Sequence, residues 1–199
     1  MISEFDNVKK IEKFSDFVYS IDNVLTESFC KQVIDKYEYD TRQTQGMYRV
    51  NGDDLVIPEL KKCTELYVTN KDDWRDEDDV LYGSLDNHLG SYLNHIRQYF
   101  TGLFQHGMNN TGFNIKKYRS DDDYYHWHHD AAGDRQILCI WYLNDNFEDG
   151  ETELIDGTKI KPKCGRLTFV PATWNFIHRG IQPKNGDKYI ITTWVEPTK

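Results

Sequence analysis

The chain has 199 residues, of which 38% are hydrophobic and 14% aromatic, which suits one folded domain with a sizeable core and excludes a disordered chain. Its formal net charge of −9 argues against a surface built to grip phosphate backbones or anionic membranes. No apolar run approaches the roughly 18 residues of a membrane span, so neither a membrane nor a nucleic acid is expected as a partner.

Met1 to Lys10 mixes charges without a continuous apolar stretch, so no signal peptide is expected. Cys30, Cys63, Cys139 and Cys164 form no CxxC pair and no Cys/His cluster at zinc spacing. Cys30 and Cys139 lie in apolar patterns and read as buried thiols. The expected compartment is a reducing cytoplasm.

Residues 17–21 read as a short strand. Thr26 is a helix N-cap before Phe29, Cys30, Val33, Ile34 and Tyr37, which share one helical face. Leu60, Leu66 and Val68 leave a third, weaker helix open. The acids Asp72, Asp73, Asp76, Glu77, Asp78 and Asp79, like Asp121, Asp122 and Asp123, read as solvated loops. The stretch 81–103 predicts a long amphipathic helix through Leu85, Leu89, Tyr92, Leu93, Ile96, Tyr99, Phe100 and Leu103, ended by Gly107 and Asn109-Asn110.

Beyond Asn110 the pattern changes to short β-rich runs at 113–118, 137–143, 151–155, 167–170 and 189–195, divided by turn residues. Several short strands at near-regular spacing suggest a sandwich or barrel, with a jelly roll foremost. The fold class expected is mainly β with flanking helices: a double-stranded β-helix (jelly-roll) core with N-terminal helices packed on one sheet. The chain divides as one domain, with residues 1–110 as a supporting region and 111–199 as the catalytic core.

The segment Tyr125-His126-Trp127-His128-His129-Asp130 holds three of the seven histidines. On an extended chain, residues two apart point to one face, so His128 and Asp130 can aim at a single point while His129 points away. His178, the only histidine after Asp130, completes two imidazoles and one carboxylate, the facial triad of non-haem iron(II) oxygenases. An isolated H-x-D is weak evidence, and two histidines beside an acid are often only surface polar residues. His88, His95, His106 and His126 have no ligand-spaced partner and are expected on helix surfaces or loops.

Lys188 follows His178 by ten residues and opens the last strand. Lys188, Ile190, Thr192 and Trp194 share a face, and the apolar members make it the inward one. A lysine on an inward face is costly unless paired with an anion. The distal carboxylate of 2-oxoglutarate is a suitable anion, and Tyr118 could donate a phenolic hydrogen bond to it. Thr192 and Trp194 are counted with Lys188 and Tyr118 as cosubstrate-binding residues.

These residues resemble the 2-oxoglutarate/iron(II) dioxygenases, and within them the prolyl 4-hydroxylase branch. Ile115-Lys116-Lys117-Tyr118-Arg119 is similar to the family's tyrosine-bearing strand, and His128-x-Asp130 to its first ligand pair. Trp141-Tyr142-Leu143-Asn144 followed by Asp149-Gly150-Glu151-Thr152 resembles Y-L-N…G-G-E-T. Pro171, His178, Gly186, Lys188 and Trp194 resemble the closing P…H…G…K…W series. The likeness covers roughly residues 112–196, with a weaker echo in 20–26. Asp149 stands for the first glycine of G-G-E-T, and the family's Y-x-x-G spacing is lost in Arg119 to Asp123.

The resemblance implies iron(II) held by His128, Asp130 and His178, with 2-oxoglutarate and O2 as cosubstrates and ascorbate as reductant. It implies hydroxylation of a prolyl residue in a peptide or protein, with release of succinate and carbon dioxide. Related halogenases carry a small residue where this chain has Asp130, which favours hydroxylation. Tyr124, Tyr125, Trp127, Trp141 and Trp174 could form a groove for a proline-rich chain, although Trp141 reads better as core. Arg166 and Arg179 could orient substrate carbonyls or equally pair with surface acids. Alternatives are an oxygenase acting on small molecules or nucleic-acid bases, and a jelly-roll module that binds zinc or nickel without turnover.

Overall fold

The computed structural model describes residues 10–50, 52–99 and 107–198. Two antiparallel sheets face one another, as in a jelly roll. The major sheet runs in the order Ile11–Lys13, Tyr19–Ile21, Arg166–Pro171, Ile137–Tyr142, Lys188–Pro197, Asn114–Tyr118, Thr64–Tyr67 and Thr44–Gln45, with Met108–Asn110 paired to the far end of Lys188–Pro197. The minor sheet runs Lys159–Ile160, Thr152–Leu154, His178–Gly180, Tyr124–His128 and Lys61–Lys62. Residues before Asn110 thus add strands to both sheets. The segment around Leu66, left open above, is the strand Thr64–Tyr67.

The strand Ile137–Tyr142 is buried along its whole length because both faces are covered, which is why it reads as an unbroken apolar run. Cys139 and Trp141 face the helices. Leu138, Ile140 and Tyr142 face the space between the sheets, with Tyr118, Leu154, Val170 and Ile190. Helix α1 (Glu27–Tyr39) starts at Thr26, whose Oγ1 accepts the Phe29 N–H at 3.2 Å, and it buries Cys30, Val33 and Tyr37.

Helix α2 spans Arg75–Arg97 and begins earlier than its apolar periodicity predicts. The acidic run expected as a solvated loop forms a 3₁₀ turn, Asp72–Trp74, and the first turn of α2. Carboxylates there complement the positive end of the helix. Glu77 is buried, with Lys36 Nζ at 2.6 Å and Gln32 Nε2 at 2.9 Å. The second acidic run is also not a plain loop. Asp123 is fully buried and accepts the Arg119 backbone N–H and guanidinium.

The helix ends at Arg97, and Asn109-Asn110 belong to a strand rather than to a helix stop. Phe100, Leu103, His106 and the segment 1–9 lie outside the described residues. His88 is buried in α2, not on its surface, and its Nδ1 meets the Ser84 carbonyl at 2.6 Å.

Both helices cover the outer face of the major sheet, as expected. Trp141 is the centre of that interface, fully buried, with Nε1–H donated to Ser84 Oγ on α2 at 3.1 Å. Arg166 is also buried. It binds Asp22 Oδ1 and Glu12 Oε2, both at 2.6 Å, and so ties two N-terminal segments to the sheet. No helix among the described residues is long and apolar enough to cross a membrane.

Candidate metal centre

Tyr124–His128 and His178–Gly180 are antiparallel neighbours, and His128 lies directly opposite His178. The register slips between Tyr125 and His128, a bulge at the strand end of the kind that re-aims a side chain. Asp130, two residues on, returns to the face of His128, and His129 is exposed. Asp130 Oδ2 lies 3.6 Å from His178 Nε2, and Oδ1 lies 4.0 Å from His128 Nε2. All three side chains are buried, and one donor atom from each lies within 4.8 Å of the others. Two imidazoles and a carboxylate in this arrangement could hold a divalent transition metal.

The surroundings prepare these donors. His128 Nδ1 meets the His126 carbonyl at 2.7 Å, and His178 Nδ1 meets the Phe176 carbonyl at 3.0 Å. A carbonyl accepts, so each Nδ1 carries the proton and each Nε2 presents a lone pair toward Asp130. Burial, reinforced by the charge of His178, pushes His128 down to about 3, which keeps it neutral at ordinary pH. Burial alone would raise the Asp130 carboxyl, but His178, His128, Lys116 and Arg135 together hold it below its usual value. The Tyr125 ring stacks on His128 with centroids 3.4 Å apart and fixes the imidazole plane.

On the facing sheet, Lys188 and Tyr118 are cross-strand partners. Lys188 is 2% exposed, and its Nζ donates to the Gly150 carbonyl at 2.9 Å and stands 4.8 Å from the Tyr118 ring centre. Burial pushes this lysine down to about 8. Gly150 has φ +73°, and a Cβ there would come within 2.6 Å of the Phe147 ring and 3.5 Å of Lys188 Cδ. Asp149, the departure from the double glycine, takes φ +56°, a conformation aspartate tolerates, and pairs with Lys184 at 2.8 Å. Thr192 and Trp194 share the inward face, and Thr192 Oγ1 and Trp194 Nε1 are buried without a hydrogen-bond partner.

A cavity of about 920 Å³ opens beside Asp130. Its walls include Tyr125, Asn114, Lys116, Arg135 and Trp194, together with Tyr48 and Arg49 from the hairpin Tyr48–Val50 and Asp53–Leu55. Lys61 and Glu65 also face it, as a buried ion pair at 2.9 Å. Lys116, Arg135 and Asn114 were not singled out from the sequence. The signal was present, because Asn114 and Lys116 alternate in phase with Tyr118 and must share its face.

Of the proposed groove aromatics, only Tyr125 stands at the triad. Trp141 is core, Trp174 is 74% exposed, and Tyr124 donates its hydroxyl to the Pro58 carbonyl. Trp127 lies under the Arg179 guanidinium, which is paired with Glu153 at 2.5 Å. Both arginines considered for substrate carbonyls, Arg166 and Arg179, are engaged by acids of the chain itself.

Residues 113–196 match the model of the 2OG-Fe(II) oxygenase superfamily. That stretch, the β-rich second half of the chain, is similar to the superfamily's domain. A putative prolyl 4-hydroxylase of Acanthamoeba polyphaga mimivirus is 30% identical over 101 residues, 39% of this chain and 42% of that protein's length. The chain therefore spans under half of this relative.

Solved structures that share this fold include two prolyl hydroxylases. One is a prolyl hydroxylase from Trichoplax adhaerens, in complex with a peptide fragment of the hypoxia-inducible-factor oxygen degradation domain. It has a TM-score of 0.72 and 18% identity, over 92% of this chain and 84% of that one. The other is a viral collagen prolyl hydroxylase from Paramecium bursaria Chlorella virus 1, solved as its 2OG complex. It has a TM-score of 0.62 and 19% identity, over 92% of this chain and 97% of that one. The family's chemistry takes iron(II), 2-oxoglutarate and dioxygen. The residues present fit those groups: a buried N,N,O donor set, a buried lysine on the facing sheet, and two orphaned polar atoms on its strand.

Proposed function

We propose that this domain hydroxylates a prolyl residue in a peptide or protein, consuming 2-oxoglutarate and dioxygen and releasing succinate and carbon dioxide, with ascorbate keeping the iron reduced. The observation that carries this reading is the buried cluster of His128, Asp130 and His178, whose carboxylate member, Asp130, lines a large cavity. Bound iron(II) would supply the oxygen activation that no side chain can. His128 and His178 would bind it through Nε2, each held in that tautomer by its backbone carbonyl, and Asp130 would supply the anionic donor.

Lys188 would pair with the far carboxylate of 2-oxoglutarate, an anion that offsets the cost of burying the ammonium. The Tyr118 hydroxyl, Thr192 Oγ1 and Trp194 Nε1 would donate to the same cosubstrate. Tyr125 would shield one side of the centre from water and hold the His128 ring in plane. The prolyl hydroxylases among the relatives support a peptide or protein substrate, and four free thiols fit a reducing cytoplasm.

The test is succinate release with iron(II), ascorbate and a proline-rich peptide. Peptide-stimulated release that disappears in His128→Ala, Asp130→Ala and His178→Ala, together with loss of bound iron, is expected. Tight binding of zinc or nickel without affinity for 2-oxoglutarate would replace the oxygenase reading with a metal-binding module.

A further inference from the structure

The cavity holds a cation that the proposed chemistry leaves unused. Lys116 is 4% exposed, on the strand Asn114–Tyr118, across from Ile190. Among the described residues its Nζ makes no hydrogen bond and no ion pair, and it stands 5.1 Å from the centre of the Trp194 ring. Arg135 lies over the same ring at 3.7 Å, and its guanidinium is also without a hydrogen bond or ion pair.

The anions within electrostatic reach of Lys116 are Glu65 and Asp130, and both are committed elsewhere. Glu65 accepts from Lys61 Nζ at 2.9 Å and the Met47 N–H at 3.0 Å. Asp130 faces the two imidazoles. A second observation marks the same wall. Asn114 Oδ1, two residues away on the same face, is buried without a partner. Buried charges and amides are normally satisfied, so the buried Lys116, the half-buried Arg135 over the same ring and the orphaned Asn114 amide on one cavity wall describe a site shaped for a polar, anionic group.

We infer that Lys116 and Arg135 receive a carboxylate of the substrate beside Trp194, and so select an acidic substrate; the inference rests on the oxygenase reading above. The cosubstrate does not need this lysine. Lys188 lies at the next inward position along the sheet, across from Tyr118, and is bonded to Gly150, while Lys116 faces the cavity. Asn114 takes a polar group of the bound substrate, such as a peptide N–H. The carboxylate could belong to an acidic side chain near the target proline or to a free amino acid.

The test is calorimetric binding to zinc-loaded protein. The probes are peptides with glutamate or glutamine within two residues of a proline, and free proline. A charge-assisted contact of this kind is worth about tenfold to a hundredfold in affinity. Wild type is expected to prefer a glutamate peptide by that factor, or to bind free proline if the carboxylate is the amino acid's own. Lys116→Met is expected to abolish the preference while the 2-oxoglutarate requirement stays unchanged, and Lys116→Arg to retain part of it.

Equal affinity for acid and amide peptides with no binding of free proline would overturn the inference. So would a raised 2-oxoglutarate requirement in Lys116→Met, because the lysine would then be a cosubstrate anchor. Succinate release with neither acid preference nor binding of free proline removes this inference alone. Acid preference without succinate release removes the oxygenase reading and leaves the carboxylate site standing.

Discussion

Replacing Lys188 by methionine should move stability and cosubstrate binding in opposite directions. Without 2-oxoglutarate the ammonium is buried with one carbonyl as partner, and its proton affinity falls from 10.5 to about 8. At about 1.4 kcal/mol per pH unit, that fall corresponds to about 3 kcal/mol of destabilisation of the charged folded state. Methionine removes this cost but orphans the Gly150 carbonyl, a loss of about 1–2 kcal/mol. Ligand-free Lys188→Met is therefore expected to be about 1–2 kcal/mol more stable than wild type in urea denaturation at pH 7.

The sign has a pH signature. Below about 8 the lysine is protonated in both folded and unfolded states, and the cost is present in full. Between about 8 and 10.5 the folded lysine releases its proton first, so wild type gains stability as pH rises and the gap to the variant closes. Saturating 2-oxoglutarate with anaerobic iron(II) should reverse the order. At a hundredfold excess over Kd it stabilises wild type by about 2.7 kcal/mol, and it should do little for the variant. A ligand-free variant weaker than wild type, or equal stabilisation of both by 2-oxoglutarate, would refute the reasoning.

Two structural side chains are expected to affect stability alone. Trp141→Phe leaves Ser84 Oγ without its donor and opens a small void, so a loss of about 1–3 kcal/mol is expected in chemical denaturation, with the 2-oxoglutarate requirement unchanged. Arg166→Ala removes one of the two cations bonded to Asp22 and leaves Lys163 alone with it, so a loss of about 1.5–3 kcal/mol is expected, again without a change in that requirement. Burial raises the Asp22 carboxyl, but its bonds to Arg166 and Lys163 hold it below 3.8 overall. That contribution is full above about 3.8 and fades as pH falls, so wild type should lose more stability in acid than the variant does. A requirement for 2-oxoglutarate that rises in Arg166→Ala would place this arginine in the site after all.

The candidate metal donors, and the shared face of the last strand, are legible in the chain because extended strands impose a strict alternation. His128 and Asp130 had to share a face, and so did Lys188, Ile190, Thr192 and Trp194. The core strands and the Thr26 cap were legible for similar local reasons. The start of helix α2 is hidden from apolar periodicity because its first turn is acidic, and the helix dipole favours those carboxylates there. Glu77, Asp123 and His88 were misplaced on the surface because a polar residue's burial depends on partners distant in sequence. Lys36 reaches Glu77 from another helix, a contact no local pattern records.

By itself the sequence determined which side chains could present metal donors and a cosubstrate cation, since those follow from residue type and a period of two. Only the tertiary structure decided which neighbours each buried charge would meet. Arg166 found Asp22, Lys61 found Glu65, and Lys116 found no carboxylate of its own. That outcome depends on which strands are neighbours across two sheets, and strand neighbours are set by the whole fold rather than by any stretch of it.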